Sequence, residues 1–222
     1  MDPMPLEEPL LPELPSSLAQ TLGPPYLIAV EGPNGSGKSL LCSLLTERLG
    51  FPHLRGVPAA WETPAMKLHM IGGADWLASA MYFLSGVIES SRRAMQDEGT
   101  IKVMDRSIWS TLAVHYAHDP SRTPTLLRLV ELAAGRIKTP DLAIVLEVSP
   151  AEYRKRLGRK TGHDHKFDTA TPSSDEFLLR ENEFYHLLAR QWPKLVFIST
   201  EDREVEPVYQ DAVEAIHAVL PG

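Results

Sequence analysis

The sequence is poor in cysteine, in long apolar runs and in net positive charge. Its 222 residues contain a single cysteine, Cys42, which excludes an internal disulfide and suits a reducing cytoplasm. No apolar run reaches the roughly 18–20 residues that a membrane-spanning helix requires. The amino terminus has acids and prolines where a signal peptide has a basic stretch and an apolar core. We therefore expect a cytoplasmic protein without a membrane partner.

Basic residues are outnumbered, because 22 Lys and Arg stand against 29 Asp and Glu, for a net charge of −7. Proteins that bind a nucleic-acid polymer usually carry a basic surface. The charge therefore argues against such a polymer. Four of the excess acids lie among residues 1–25, which contain no Lys or Arg. The remainder is nearly neutral, so a small anionic substrate is compatible with it.

The first 25 residues carry seven prolines among acids and leucines. Proline at this density interrupts both helix and strand periods. We expect residues 1–25 to form a disordered or surface-lying tail. Residues 26–222 then form one domain, since a chain of this length has no room for a second core.

Beyond the tail, short apolar runs alternate with helical patterns. This alternation predicts an α/β fold with a parallel sheet and helices on both faces. Long helices are expected after Asp75 and near the carboxyl terminus, over residues 205–220. The expected strands are 26–31, a brief one within 51–65, 100–104, 142–148 and 195–199.

A phosphate-binding pattern, G-x-x-x-x-G-K-S, follows the first strand directly and opens a helix. Its glycines allow successive backbone N–H groups to point inward and form an anion nest. The helix that follows presents its positive end to the same phosphates. Lys38 is expected to reach the β and γ phosphates of ATP, and the Ser39 hydroxyl to coordinate Mg²⁺. The nucleotide-binding residues are Gly32, Asn34, Gly35, Ser36, Gly37, Lys38 and Ser39.

The phosphate loop leaves the class of nucleotide-using protein open. The N-K-x-D and D-x-x-G strings of GTPases are absent, and mechanochemical ATPases need a longer chain. A small-molecule kinase fits best, and a nucleotide-binding regulatory protein with little turnover is the alternative from another class. A regulatory protein would not need the basic cluster that follows Tyr153.

Asp105 ends a strand that we expect beside the phosphate-loop strand, which would place its carboxylate near Mg²⁺. The alternative is that Asp105 caps a helix.

Arg106 could be a surface cation, but its guanidinium fork matches the oxygens of a phosphate. Arg156 and Arg159 belong to a dense basic stretch, and we expect them in a lid over the phosphates rather than on a solvated helix face.

Three segments resemble the thymidylate kinase family. Residues 103–113 are similar to the D-R-[YHS] signature at a strand end of that family, and deoxynucleoside kinases carry E-R-S there. Residues 140–150 and the arginines after them resemble the fourth strand and lid, and residues 181–185 resemble the helix after the lid. The resemblance implies a five-stranded P-loop kinase fold, a lid at about 154–174, a nucleotide or nucleoside acceptor and a possible homodimer.

The chain departs from the family pattern on the acceptor side. Asn34 stands where thymidylate kinases carry an acid, no arginine occurs between Arg55 and Arg92, and residues 61–64 read W-E-T-P instead of T-R-E-P. The likeness therefore implies a monophosphate kinase that is not optimised for dTMP. A nucleoside or nucleoside-antibiotic hydroxyl kinase, with Glu62 as the base, is the alternative, and Glu62 as a surface acid is equally compatible with the sequence.

Overall fold

The structure is a computed structural model, and it describes residues 10–19, 25–96, 101–157 and 174–219. Five strands form one sheet, in which every neighbouring pair is parallel and the order is β2-β3-β1-β4-β5. This confirms the predicted fold class and sheet. The strands are Tyr26–Glu31 (β1), His53–Arg55 (β2), Ile101–Asp105 (β3), Leu142–Glu147 (β4) and Leu195–Ser199 (β5).

Helices flank both faces of this sheet. Most lie where the apolar periodicity predicts them, including the long helix that Asp75 caps by accepting a hydrogen bond from the Leu77 amide. The described helices are Ser16–Ala19 (α1), Lys38–Leu49 (α2), Pro64–Gly72 (α3), Trp76–Ala94 (α4), Ile108–His118 (α5), Thr123–Leu132 (α6), Pro150–Leu157 (α7), Asp175–Ala189 (α8) and Val205–Val219 (α9).

Strand β1 lies in the middle of the sheet and divides the core into two clusters. Ile28 and Val30 pack with Cys42 of α2 and with α9 on one face. Ala29 packs on the other face, with α4, α5, α6 and α8. Cys42 is fully buried in the first of these clusters.

Residues 10–19 belong to the segment expected to be disordered or surface-lying. In the structure they lie against the segment that ends α8. There the Gln191 side chain donates hydrogen bonds to the carbonyls of Leu11 and Pro12. Leu11 and Leu18 are buried in the larger core cluster. A four-residue helix, Ser16–Ala19, follows Pro15, and the leucines find apolar contacts in the core.

Helix α3 occupies a stretch for which the sequence analysis assigned no element. Thr63 caps it by accepting a hydrogen bond from the Met66 amide at 3.2 Å, and a proline follows the cap. Proline after a threonine cap is a helix-start signal. This helix carries Lys67 towards the site described below.

The sheet order brings two sequence motifs to one edge. Val30 of β1 is the register partner of Asp105 of β3, so the phosphate loop and the D-R-S segment leave the sheet side by side. Gly56, just after β2, donates a hydrogen bond to the Asp105 carbonyl at 2.9 Å. A Cβ at this position would lie 2.6 Å from the Arg106 carbonyl oxygen, so glycine permits the close approach. No helix within the described ranges is both long and apolar enough to span a bilayer.

Candidate active site

A cavity of about 760 Å³ opens at this edge of the sheet. We call the half formed by the phosphate loop and the end of β3 the donor half, and the half formed by β2, α3, α4 and α5 the acceptor half, after the substrates expected in each. The predicted site residues on its wall are Asn34, Gly35, Gly37, Lys38, Ser39, Glu62, Asp105, Arg106 and Arg156. The structure therefore brings most of the predicted site together.

The phosphate loop has the backbone that the glycines were expected to allow. Gly32 has a φ of +118°, and an added Cβ would collide with the Leu146 carbonyl of the neighbouring strand. Lys38 turns back over the loop, where its Nζ donates to the Pro33 carbonyl at 2.5 Å and to Ser36 Oγ at 3.4 Å. Burial and the positive charge of Arg106 lower the pKa of Lys38 to about 7. A phosphate in the loop would supply the anion that this ammonium lacks.

Ser39 and Asp105 are in direct contact. Ser39 Oγ donates a hydrogen bond to Asp105 Oδ2 at 2.7 Å. The cap of α5 is Ser107, which accepts from the Trp109 amide, so the helix-cap interpretation of Asp105 is wrong. A hydroxyl and a carboxylate side by side at the end of a phosphate loop are oxygen ligands that fit Mg²⁺.

Glu31 is a buried carboxylate that the sequence analysis did not single out. It accepts hydrogen bonds from the Ser107 amide at 2.8 Å, the Ser107 hydroxyl at 2.5 Å and the Tyr185 hydroxyl at 3.3 Å. The Ser110 hydroxyl donates to its second oxygen as well. Burial raises the pKa of Glu31, while the bonds from Ser107 and Ser110 oppose this rise. An acid at the end of an apolar strand is the only local signal for such a residue.

Arg106 adopts a left-handed backbone conformation with a φ of +69°, which is rare for a residue other than glycine. Its guanidinium donates to the Gly32 carbonyl at 3.4 Å, to Ser110 Oγ at 3.2 Å and to Asn34 Oδ1. Burial opposes its charge, but the carboxylates of Glu181 and Asp105 raise the pKa of Arg106. Arg106 is thus a fixed cation between the two halves of the cavity.

Glu62 lies on the acceptor side and bridges two cations. Its Oε1 is 2.9 Å from Arg55 Nη2 and 3.1 Å from Lys67 Nζ, and its side chain is 12% exposed. All three residues line the cavity. This excludes Glu62 as a mere surface acid, and it reveals two cations, Arg55 and Lys67, that sequence reasoning missed.

Arg156 is anchored beneath the phosphate loop. Its Nε donates to Glu152 at 2.8 Å, and Nη1 donates to the Gly35 carbonyl at 3.2 Å and to Thr200 Oγ1 at 3.0 Å. These contacts tie α7 to the loop, so Arg156 touches the donor half from a fixed position. Arg159, like most of the expected lid at 154–174, lies outside the described residues.

The acceptor half has an apolar wall with a few polar groups. Ser79, Thr111 and His115 are buried and face the cavity together with five apolar side chains. The aromatic ring of Phe83 is on this wall, whereas Trp76 packs edge-on against His115. The apolar side chains are Val57, Ile71, Phe83, Val87 and Val114.

The comparisons with known proteins agree with this geometry. A family model described as deoxynucleoside kinase matches residues 28–171. A probable thymidylate kinase from Pyrobaculum aerophilum is 28% identical over 199 residues, which are 87% of this chain and 97% of that protein. The thymidylate kinase of Leptospira interrogans is 30% identical over 156 residues, or 65% of this chain and 74% of its own.

Two solved structures share the fold. Thymidylate kinase from Candida albicans superposes with a TM-score of 0.67 at 18% identity, over 87% of this chain and 91% of that one. Deoxyadenosine kinase from M. mycoides gives a TM-score of 0.65 at 14% identity, over 86% and 99%.

The fold and the phosphate loop define a P-loop phosphotransferase of the nucleotide and nucleoside kinase class, which uses ATP. The chain belongs to the deoxynucleoside kinase family, in the group that includes the thymidylate kinases.

Because His115 is buried, its pKa is lowered to about 4 from the ordinary 6.5. Between pH 6.5 and 4 the unfolded chain therefore binds a proton that the folded protein does not bind. The free energy of unfolding consequently decreases as the pH is lowered through this range. At about 1.4 kcal/mol per pH unit, this contribution reaches roughly 3 kcal/mol. We expect His115→Gln to remove it, so that urea unfolding free energies of variant and parent converge or cross as the pH falls from 6.5 to 4. Parallel pH profiles for the two proteins would contradict this expectation.

Proposed function

We propose that the protein transfers the terminal phosphate of Mg²⁺–ATP to the phosphate of a nucleoside monophosphate or a related nucleotide. The observation that carries the proposal is one continuous cavity that contains both a phosphate loop and a second group of cations. Those cations are Arg55, Lys67 and Arg106. Guanidinium and ammonium groups beyond the donor loop are suited to a second anion, which a monophosphate supplies and a nucleoside does not.

On the donor side, the loop amides and Lys38 would hold the β and γ phosphates of ATP. Ser39 and Asp105 would hold Mg²⁺, which when bound neutralises charge on the phosphate oxygens. Lys38 would then carry its full positive charge, since a phosphate outweighs the burial that disfavours it. Arg106, fixed between the halves, would orient the acceptor oxygen towards the γ phosphate.

On the acceptor side, Glu62 supports the phosphate hypothesis through its partners. It lies within 3.1 Å of the nitrogens of both Arg55 and Lys67, so it occupies the position that an incoming phosphate would take between them. The ionised oxygen of a phosphate needs no base to attack ATP. Glu62 would then act as a counter-ion for the two cations and not as a proton acceptor.

A hydroxyl kinase is the second candidate, and two observations favour it. The family model that matches is that of deoxynucleoside kinases, and the Glu62 carboxylate lies inside the cavity. In this case Glu62 would accept the proton of a sugar hydroxyl. Its two cationic partners count against this role, because Oε1 of the carboxylate is already engaged by Arg55 and Lys67.

The first prediction from the proposed function concerns Arg55. We expect Arg55→Met to raise the KM for the monophosphate about tenfold, the effect of one lost charge-assisted hydrogen bond, with the KM for ATP unchanged. Initial rates measured at varied acceptor and saturating ATP give both constants. Arg128→Met, on the exposed face of α6, is the matched control and should behave like the parent. An unchanged acceptor KM would remove Arg55 from the acceptor site.

The second prediction separates the two candidate acceptors. With a phosphate acceptor, Glu62→Gln should keep kcat within a few-fold, and the KM for the monophosphate should stay the same or fall because Arg55 and Lys67 lose a competing carboxylate. With a hydroxyl acceptor, kcat should fall by roughly a hundredfold or more. Glu131→Gln, exposed on α6, serves as the control. Loss of most activity in Glu62→Gln alone would establish the hydroxyl kinase.

The third prediction concerns thymidylate. Asn34 is an amide engaged by Arg106, and the wall of the acceptor half carries Ser79, Thr111 and His115 but no arginine of α4. A base or sugar group left without a polar partner in a buried site lowers kcat/KM by roughly a hundredfold. We therefore expect dTMP to be phosphorylated less efficiently than another monophosphate in an ADP-release assay. If dTMP has the highest kcat/KM of the common monophosphates, the missing contacts are unimportant.

A further inference from the structure

A thiol, an imidazole and a carboxylate converge on the α2 face of the sheet, next to the donor half of the cavity. Cys42 Sγ, a ring nitrogen of His53 and a carboxylate oxygen of Asp105 all lie within 4.8 Å of one another. They come from three different elements, α2, β2 and β3. Neither Cys42 nor His53 lines the cavity.

The sheet register explains why these groups meet. His53 pairs with Val103, two residues before Asp105, so its side chain lies on the same face of the sheet as the carboxylate. Cys42 follows Ser39 by one helical turn, and Ser39 is hydrogen-bonded to Asp105. The arrangement therefore follows from regular secondary structure and not from a loop conformation.

The nitrogen and sulfur donors have no competing side-chain partners in the described parts of the chain. The His53 ring takes part in no hydrogen bond or ion pair there, and the Cys42 thiol is hydrogen-bonded only to its own backbone. Cys42 is fully buried and His53 is exposed, so a metal ion could reach the carboxylate and the imidazole from solvent and find the thiol beneath them.

We propose that Cys42, His53 and Asp105 form a site for Zn²⁺ or a similar thiophilic divalent cation. Thiolate, imidazole and carboxylate are the ligands that zinc prefers, and three of them leave a fourth position for water. At bond lengths of about 2.0–2.3 Å, two ligand atoms of a tetrahedral ion are roughly 3.5 Å apart. The ligand atoms are at present up to 4.8 Å apart, and side-chain rotations that move them by roughly 1 Å would bring them to the tetrahedral spacing. The thiol proton leaves to solvent as the sulfur–metal bond forms.

Occupation of this site has a consequence for catalysis, and this part rests on the proposed function. Asp105 cannot serve Mg²⁺ while it coordinates zinc, so zinc inhibits phosphoryl transfer and excess Mg²⁺ relieves the inhibition. A site with sulfur and nitrogen ligands binds Zn²⁺ far more tightly than Mg²⁺, which prefers oxygen ligands and keeps its water. Low concentrations of zinc therefore suffice against a large excess of magnesium.

Cobalt provides the direct test, because Co²⁺ bound to a thiolate gives a charge-transfer absorption in the near ultraviolet. Cys42 is the only cysteine of the chain, so such a band can report on no other residue. We expect the band when Co²⁺ is added to the full chain without nucleotide, its loss in Cys42→Ser, and its displacement by Zn²⁺. No band in the parent protein would overturn the proposal.

His53 keeps the test valid should Cys42→Ser fail to fold, since His53 is exposed. His53→Asn should weaken Zn²⁺ binding at least tenfold in competition with a chromophoric chelator, a loss typical of changes at a metal site. His217→Asn, exposed on α9 and remote, should bind like the parent. Equal affinities of His53→Asn and the parent would place the metal elsewhere and overturn the proposal.

The kinase assay adds the functional outcome. Zinc should inhibit the parent enzyme in competition with Mg²⁺, and the inhibition constant should be at least tenfold higher for His53→Asn, with the rates of each protein expressed relative to its own zinc-free rate at the same Mg²⁺ concentration. Inhibition that is unchanged in His53→Asn contradicts the proposed link to Asp105. If the protein transfers no phosphate at all, the proposed function fails, and the cobalt spectrum still decides the metal site.

Discussion

The buried carboxylate of Glu31 holds the site together. It ends the central strand, immediately before the phosphate loop, and accepts hydrogen bonds from Ser107 and Ser110 at the start of α5 and from Tyr185 of α8. A buried carboxylate without partners would strongly destabilise the fold, so these three elements are constrained to meet at it. The left-handed turn at Arg106 follows from this constraint, because Asp105 before it contacts Ser39 and Ser107 after it contacts Glu31.

The charges around this carboxylate are arranged for anions that arrive with the substrates. Lys38 is buried and Arg106 is partly buried, and the carboxylates of Glu31, Asp105 and Glu181 compensate their charge. Glu181 is itself buried, burial raises its pKa, and its Oε1 lacks a hydrogen-bond partner among the described residues. On the acceptor side, Glu62 compensates the charges of Arg55 and Lys67. Each half thus holds its cations in place through acidic neighbours that a phosphate can supplement or replace.

Local pattern was sufficient for the sheet, for most helices and for the phosphate loop, because apolar periodicity and glycine spacing act over a few residues. It also placed Asp105 beside Ser39, since the order of parallel strands follows from the motif. Local pattern could not identify Glu31, Arg55 and Lys67 as site residues. They reach the site only through tertiary contacts, and Lys67 does so because α3 carries it there. Arg156 was expected in a lid for its charge, yet its position depends on Thr200 and on the Gly35 carbonyl, which no sequence spacing relates to it.

The central proposal is that one cavity binds both ATP and a nucleoside monophosphate and transfers the γ phosphate of the first to the phosphate of the second. It is tested most directly by ADP release from Mg²⁺–ATP in the presence of matched pairs, each a nucleoside and its 5′-monophosphate. The account predicts that the preferred monophosphate is used with a kcat/KM at least roughly a hundredfold above that of its nucleoside, since only the monophosphate engages the second group of cations. A nucleoside that is phosphorylated as efficiently as its monophosphate, or no acceptor-dependent ADP release at all, would contradict it.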